Sequence, residues 1–595
     1  MELKPKACLL VLLGLCCIMR SLADEVFLNT RLGTIIGKKA ETTFNGKTGN
    51  VNAFLGIPYA ESPTGSKRFR KPVPKANLVN PYNASDFGPA CPQDLFMMMG
   101  WVPGYPYVDE DCLSLNVFTP ENAGMQGNNK SYAVMVWIYG GAYVIGQSKM
   151  YSGENLTLVG DVIVVTMNYR ITSLGFLSTG SSKYPGNAGL WDQQLAIKWV
   201  HDNIESFGGD PNRVTIFGES AGGSSVLYHA LYPGNKGLFQ RLITESGSPL
   251  CPWAYQPDPI KYARRLANKL GCKDNDLDAA VDCLQKLDAM TVVNNSRVGS
   301  QDDTVFRAEW VPNYDNDFIR FPQNRLFSSG IDMFKDLDLM AGVNNNDGAF
   351  VTLLAIQPFM VQQINKTFDK GITRDFFNNF YIPFYFKDYR GNVSQLTKDT
   401  AAHVYTDWRD LHNDIYTREK FLQFSGDYNF FMPVLSSIRA HANSSSKSKT
   451  FLYQFKVRAA FNKSPSWVSG ANHGDELPFV FGFPDLMADG MGFRDNVPAI
   501  EEQLSTNIMT MWSNFAKTGD PNFPVNVPDA IVWPEYNSDT QRYLRIGLNK
   551  SSAYQNLFGD RASFWLKLEP EIHALERAKS NHNYQPGLGI PVIVG

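Results

Sequence analysis

The hydrophobic and polar positions in the first half of the chain predict strands and helices in alternation. Short runs of β-branched and other apolar residues are separated by helix-like stretches, and uninterrupted apolar runs are typical of strands covered on both faces. Three such runs end at glycine or polar residues: Ala133–Ile138, Val162–Met167 and Val214–Phe217. The pattern predicts an α/β fold with a large, mostly parallel central sheet covered by helices on both faces.

Two further strand candidates, Leu337–Ala341 and Phe451–Val457, lie in the second half of the chain. No internal repeat, low-complexity tract or long linker divides the sequence, which favours one large domain over residues 24–570 followed by a C-terminal tail over residues 571–595. In mainly parallel sheets, ligands and catalytic groups collect at the carboxyl ends of the strands. The residues that follow each apolar run are therefore the first candidates for function.

The N-terminal segment indicates export of the chain. Residues 1–23 combine Lys4 and Lys6, an apolar stretch and a small-residue cleavage site before Asp24, which together predict a signal peptide. A membrane anchor is the alternative, but the apolar stretch is short for a span of about 20 residues. We expect a secreted, extracellular protein without a transmembrane anchor. The net charge of −3 over 595 residues and the absence of a Lys/Arg run argue against nucleic acid as a partner.

The segment Gly218–Gly222 has the G-x-S-x-G pattern of a nucleophile elbow, with Ser220 at its centre. An ordinary Gly/Ser turn is the alternative, but the apolar run before the motif and the small residues after it favour a sharp strand-to-helix turn. A serine nucleophile also needs donors for the developing oxyanion. Backbone N–H groups of Tyr139–Tyr143, which contains a Gly-Gly pair, and of Ala221 could supply them, although a Gly-Gly pair alone is more often a hairpin turn.

The serine also needs a base, and the chain has eight histidines. His473 lies in a loop-like stretch after the last strand candidate, whereas His229, His403 and His412 lie in helix-like or polar stretches typical of packing or surface roles. Asp347 follows the strand candidate Leu337–Ala341 and could orient the base, although an Asp before Gly is more often a turn residue. The order Ser220, Asp347, His473 is that of α/β-hydrolases. No zinc-type spacing is present, so the sequence predicts neither a metal nor a cofactor.

At these residues the sequence resembles the type-B carboxylesterase and cholinesterase family, from about Glu25 to about Leu568. The segments that carry the resemblance are Phe54–Ala60, Glu110–Val117, Asn168–Arg170, Gly175–Leu177, Asn187–Gln194, Phe207–Pro211 and Trp512–Pro521. The resemblance implies the α/β-hydrolase fold, with Ser220 as nucleophile, His473 as base and Asp347 as the orienting acid. It places the oxyanion donors on Gly141, Ala142 and Ala221.

Subfamily features within this resemblance point in two directions. Leu177–Gly180 and the Asp347–Gly348 pair look most like bile-salt-activated lipases, but Asp86–Ala90 replaces the basic residues of those lipases and their proline-rich tail is absent. Ser246–Trp253 looks more like cholinesterases, and Trp101 is a candidate for a choline-binding tryptophan. By resemblance to the cholinesterase acyl pocket we expect four residues to line such a pocket here: Trp253, Phe306, Ala308 and Trp310.

Cysteines and glycosylation sequons agree with an oxidising compartment. Without the signal peptide five cysteines remain, and the short-range pairs Cys91–Cys112 and Cys272–Cys283 leave Cys251 as a free thiol. The same pairs are the disulfides that the family resemblance implies. The sequons that we predict to be glycosylated are Asn83, Asn129, Asn155, Asn294, Asn365, Asn392, Asn443 and Asn549. A ninth sequon, Asn462, is excluded because Pro465 follows it.

These observations predict a secreted serine carboxylic-ester hydrolase that forms an acyl-enzyme on small to medium apolar esters or lipids. A cholinesterase is the alternative enzyme. The family also contains adhesion proteins and hormone precursors that keep the fold without catalysis, which makes a non-catalytic protein the alternative of a different class. The predicted partner is a small-molecule ester or lipid, and homodimerisation is left open.

Overall fold

The computed structural model describes residues 25–94, 107–299, 308–353, 368–386, 393–444, 447–485, 487, 489, 497–527 and 532–581. Several predicted features lie outside the described residues: the signal peptide, Trp101, Phe306, Asn365 and Asn392.

Thirteen strands form one twisted sheet within the described part of the chain. They are β1 Glu25–Thr30, β2 Gly33–Phe44, β3 Lys47–Pro58, β4 Tyr82–Asn83, β5 Ser114–Pro120, β6 Tyr132–Ile138, β7 Ile163–Met167, β8 Gly209–Glu219, β9 Arg241–Glu245, β10 Asp338–Asn344, β11 Thr450–Phe455, β12 Arg542–Ile546 and β13 Ser552–Gln555. Their order is β1-β2-β3-β5-β7-β6-β8-β9-β10-β11-β12-β13, with β4 beside β2. Every pair from β7 through β12 is parallel, and antiparallel pairs occur at the two ends.

This architecture confirms the predicted α/β class and its mostly parallel sheet. All five predicted apolar runs lie in parallel strands, with boundaries that differ by a few residues. The run Val214–Phe217 is the core of β8, which extends to Glu219 and so ends directly before Ser220. The run Leu337–Ala341 belongs to β10, which extends to Asn344 because the strand stays paired with β11 up to that residue.

Helices cover the sheet. The α-helices are Glu154–Gly160, Thr172–Phe176, Ala188–Asn203, Ala221–Leu231, Pro259–Lys269, Leu277–Leu284, Ala289–Asn294, Leu326–Ser329, Gly348–Val351, Ile382–Phe386, Gln395–Val404, Asp414–Gly426, Met432–Ser444, Leu477–Phe481, Ala499–Thr518, Gly559–Ser563 and Glu569–Asn581. Single π-helical segments join some of them: Phe376–Tyr381, Asp427–Phe431 and Phe564–Leu568.

Two neighbouring residues of β9 show that both faces of the sheet are covered. The Thr244 hydroxyl donates to the carbonyl of Gly223 in helix Ala221–Leu231, whereas the Glu245 carboxyl accepts from Trp512 in helix Ala499–Thr518. Successive side chains of a strand point to opposite faces. These two helices therefore lie on opposite sides of the sheet, and the strand ends between them are enclosed.

The C-terminal helix Glu569–Asn581 crosses the predicted domain boundary at residue 570, and Ile572 within it is buried. The boundary between domain and tail stays a prediction. Among the described residues, none of the helices has the length and apolar character needed to span a bilayer.

Candidate active site

Ser220 occupies a strained turn between β8 and helix Ala221–Leu231. Its φ is +56° and its ψ is −119°, a region that residues with a side chain seldom adopt. The Ser220 N–H donates to the carbonyl of Glu245 (2.8 Å), which ties the turn to the end of β9. A Cβ atom on Gly222 would lie 1.9 Å from the carbonyl oxygen of Ile138, so only glycine fits at this crossing. The predicted strand–turn–helix context of the G-x-S-x-G motif is therefore present.

Asp347 and His473 meet at the same end of the sheet although 126 residues separate them in the chain. The Nδ1 atom of His473 lies 2.9 Å from Oδ1 of Asp347, and Oδ2 of Asp347 accepts hydrogen bonds from the Ser246 hydroxyl (2.9 Å) and the Asn344 N–H (3.0 Å). Asp347 is fully buried. Its two oxygens thus have separate tasks, because one holds the imidazole while the other is held by the ends of β9 and β10.

Two aromatic rings enclose the imidazole of His473. The ring of Phe350 lies 4.9 Å from it and the ring of Phe430 lies 4.3 Å from it, centroid to centroid. The Nε2 atom is buried and lies 3.1 Å from Oε1 of Glu219, at an angle that makes no hydrogen bond. The imidazole is held at Nδ1, and Nε2 has no hydrogen-bond partner among the described residues.

The loop after β6 passes directly against the nucleophile. A Cβ atom on Gly140 would lie 3.0 Å from Cβ of Ser220, and the next residues, Gly141 and Ala142, have φ values of +103° and +55°. Within the described part of the chain, the N–H groups of Gly141, Ala142 and Ala221 donate to no protein acceptor. Free backbone donors beside a nucleophile have the properties of an oxyanion hole. The assignment of these three residues to that role stays a prediction.

Three buried glutamates surround the site, and the sequence reasoning did not identify them. Glu219, Glu245 and Glu476 are almost fully buried, and burial raises the pKa of each. For Glu219 the second cause is the charge of Asp347, and for Glu476 it is the charge of Glu219. The signal in the sequence was weak: Glu219 is the variable position of G-x-S-x-G, and Glu476 lies three residues after His473.

The four predicted acyl-pocket residues have different surroundings. The Trp253 indole N–H donates to the carbonyl of Asn429 (3.0 Å), and its ring lies 5.8 Å from Phe430, the residue that contacts His473. Trp310 is buried, donates from its indole to the carbonyl of Ser296 (2.7 Å) and lies 6.5 Å from the ring of Tyr262. None of these described contacts joins Trp310 to Trp253 or to the triad.

Ala308 is half-buried, and its carbonyl accepts a hydrogen bond from the Gln256 amide (3.1 Å). Sequence reasoning missed Phe430, which lies in the π-helical segment Asp427–Phe431. The contact of Phe430 with His473 becomes visible only in the tertiary structure, where this π-helical segment packs beside the loop that carries His473.

The structure contains the two expected disulfides, Cys91–Cys112 and Cys272–Cys283, and Cys251 is a buried free thiol. The described sequons differ in exposure. The asparagines exposed to solvent are Asn83, Asn129, Asn294, Asn443 and Asn549. Asn155 is half-buried, and its amide donates to the carbonyl of Gly482 (2.6 Å).

Together, the sheet order and the Ser220, Asp347 and His473 arrangement define an α/β-hydrolase fold. A family model described as the carboxylesterase family matches residues 24–565, and the chain belongs to this family. Mouse cholinesterase is 36% identical over 566 residues, which cover 92% of this chain and 88% of that protein. Neuroligin-2 of mouse and of human is 35% identical over 599 residues, which cover 93% of this chain and 69% of that protein.

Proposed function

We propose that this protein is a secreted serine carboxylic-ester hydrolase. The observation that carries the proposal is the contact between His473 and Asp347 at 2.9 Å, with Nε2 of His473 3.1 Å from Glu219, the residue that precedes the strained Ser220. The loop against Ser220 adds unoccupied backbone N–H donors. A protein that used this fold only for binding would have no need for a buried acid and base in this arrangement.

The geometry supports an acyl-enzyme mechanism. Ser220 Oγ attacks the ester carbonyl while Nε2 of His473 takes the hydroxyl proton, and Asp347 stabilises the resulting imidazolium. The tetrahedral oxyanion accepts hydrogen bonds from the loop after β6 and from Ala221. His473 then gives its proton to the leaving alcohol. Water deprotonated by the same histidine hydrolyses the acyl-enzyme, which releases the acid and restores the Ser220 hydroxyl.

The substrate that we propose is a small to medium apolar ester or lipid. The rings of Trp253 and Phe430 form an apolar wall that leads to His473, and acyl groups bind such walls by burial of their methylenes. Leu177–Gly180 favours a bile-salt-activated lipase within the family, whereas the acidic and apolar segment Asp86–Ala90 argues against bile-salt activation. We propose lipase-like ester hydrolysis without a bile-salt requirement.

A cholinesterase is the second candidate, favoured by the 36% identity to mouse cholinesterase over most of both chains. Hydrolysis of a choline ester at a rate above that of the matched neutral ester would support this candidate. Equal rates for the charged and neutral esters would leave the general esterase as the better assignment.

A fluorophosphonate probe tests the proposed chemistry directly, because it reacts only with an activated serine. The secreted wild-type protein should be labelled at Ser220 and should hydrolyse butyrate esters, while Ser220→Ala should lose both properties and keep the wild-type thermal unfolding curve. Ser224→Ala is a matched control, since Ser224 lies four residues further along in the helix and is fully buried. A wild-type protein that folds but shows neither labelling nor turnover would refute the enzyme assignment and favour the non-catalytic class.

A further inference from the structure

Strand register places four residues in one row across the carboxyl end of the sheet. Glu219 of β8 pairs with Glu245 of β9, Glu245 pairs with Gly342 of β10, and Gly342 pairs with Tyr453 of β11. Neighbouring strands lie about 4.8 Å apart, and residues in register on parallel strands point to the same face. The carboxyl groups of Glu219 and Glu245 are therefore side by side in a fully enclosed part of the molecule.

Gly342 lets Tyr453 lean across β10 toward these carboxyl groups. A Cβ atom at residue 342 would lie 2.2 Å from ring carbons of Tyr453, so any other residue would displace the ring. The Tyr453 hydroxyl is buried without a hydrogen-bond partner, and burial followed by the charge of Glu245 raises its pKa well above the ordinary value. A buried phenol that stays neutral adds a donor, not a charge, at this end of the row.

Among the described residues, the carboxyl oxygens in this region have no permanently charged counter-ion. Glu245 Oε1 accepts from the Trp512 indole (2.7 Å), but Oε2 of Glu245 is buried without a partner, as are one oxygen each of Glu219 and Glu476. Within the described ranges, no Lys or Arg forms an ion pair with any of these glutamates. Adjacent buried carboxylates without a cation cannot all ionise, because each pays a desolvation cost and repels the other. At least one carboxyl group in the row holds a proton.

We propose that Glu245 is a positioning residue that remains a neutral acid and donates its hydroxyl hydrogen bond to Glu219, so that Glu219 keeps the negative charge that faces His473. This inference rests on the proposed function. Glu219 is the carboxyl beside His473, with 3.1 Å between Oε1 and Nε2, so a charge on Glu219 is balanced whenever the imidazole is protonated. Among the described residues, the hydrogen-bond donor to Glu245 is the uncharged Trp512 indole, so a carboxylate at Glu245 would have no cation beside it, and we assign the proton to Glu245.

Electrostatics agree with a neutral Glu245 near neutral pH. Burial raises its pKa to about 8, while the Trp512 hydrogen bond acts in the opposite direction. The titratable groups around it are Glu219, Asp347, Tyr453, Glu476 and His473, with Tyr151 also beside Glu219. Burial, and then the charges of Asp347 and Glu245, raise the pKa of Glu219 as well, so a carboxylate at Glu219 requires both a hydrogen-bond donor and a protonated imidazole beside it.

The pH profile of kcat/KM provides the test, because its acid limb reports protonation of the base His473. A carboxylate at Glu219 stabilises a positive charge on the imidazole by its opposite charge. In Glu245→Leu, Glu219 loses its donor and takes up a proton, so the negative charge that faces the imidazole is lost and the acid limb moves to lower pH by about one unit. The imidazolium formed in the transition state loses the same stabilisation, so kcat at pH 7 falls about tenfold with KM unchanged.

Glu245→Gln is the conservative variant, since its amide oxygen accepts from Trp512 and its amide N–H donates to Glu219. It should keep the wild-type acid limb and a kcat within about threefold of wild type. Glu501→Gln is a matched control on the helix that carries Trp512, because Glu501 is buried but lies outside the row; its acid limb should equal that of wild type. If the Glu245→Leu protein does not fold, Glu245→Met serves as the apolar variant.

Two results would overturn the proposal. The first is that a folded Glu245→Leu or Glu245→Met protein has the same acid limb as the wild type. The second is that the acid limb of Glu245→Gln moves as far as that of the apolar variant. The infrared difference spectrum of wild type minus Glu245→Gln should contain a positive band of a protonated carboxyl group at pH 7, because only the wild type has this group. The band does not depend on whether the protein hydrolyses esters. Absence of that band would refute the neutral Glu245, whereas an inactive wild type that shows the band would refute only the proposed function.

Discussion

Replacement of Asp347 by Asn tests the division of labour between its two carboxylate oxygens. Oδ2 accepts from the backbone N–H of Asn344 and from the Ser246 hydroxyl, and a backbone N–H can only donate. The amide oxygen of Asp347→Asn must therefore occupy the Oδ2 position, and the NH₂ group must face Nδ1 of His473. A neutral imidazole can accept that hydrogen bond only with its proton on Nε2, where it can no longer take the proton of Ser220.

The expected magnitude follows from this reversed tautomer. Loss of the correct imidazole tautomer in a serine triad lowers kcat by about 10⁴-fold, which corresponds to about 5.5 kcal/mol of transition-state stabilisation. Ser246→Ala removes only one of the two donors to Oδ2 and leaves the imidazole contact intact. It should lower kcat by about 10- to 150-fold, because a hydrogen bond to a charged group contributes about 1.5–3 kcal/mol.

Steady-state hydrolysis of a butyrate ester, together with thermal unfolding, measures both effects. Asp338→Asn is a suitable control because Asp338 is an acid at the other end of β10, where it accepts from the Lys449 N–H (3.0 Å). Its kcat should equal that of wild type. If a folded Asp347→Asn protein keeps kcat within about tenfold of wild type, the tautomer argument and the role of Asp347 are both wrong.

Three further predictions follow from single residues. If Ala308 lines the acyl pocket, butyrate and longer esters should be hydrolysed faster than acetate, since each buried methylene contributes about 0.8 kcal/mol. Ala308→Phe should reverse that order. An unchanged chain-length profile in the variant would show that Ala308 does not line the pocket. Intact-mass analysis should show alkylation of Cys251 only after denaturation, because the thiol is buried and burial raises its pKa; labelling of the native protein would contradict this burial. Glycopeptide mapping should find a larger fraction of Asn83, which is exposed, modified than of Asn155, which is half-buried with its amide against Gly482; equal or higher occupancy of Asn155 would show that this burial does not limit modification.

Local sequence was sufficient for the parts of the site that lie close together in the chain. The elbow at Ser220 needs only an apolar strand, small residues at the turn and a helix, all within about a dozen positions. The parallel sheet followed from apolar runs long enough to be covered on both faces. His473 and Asp347 were predicted from their positions after two later strands, and the order of the three residues and the family resemblance supported that assignment.

The tertiary structure decided everything that depends on which strands are neighbours and in which register they pair. The contact of Asp347 with His473 and the aromatic wall of Trp253 and Phe430 join segments more than a hundred residues apart. The row of Glu219, Glu245 and Tyr453 exists only because β8 through β11 align at that level, and Glu245 alone looks like the end of an ordinary strand. Local propensity carries no information about pairing register, whereas the fold places these carboxyl groups side by side and away from water, and it is this enclosure that determines which of them can hold a charge.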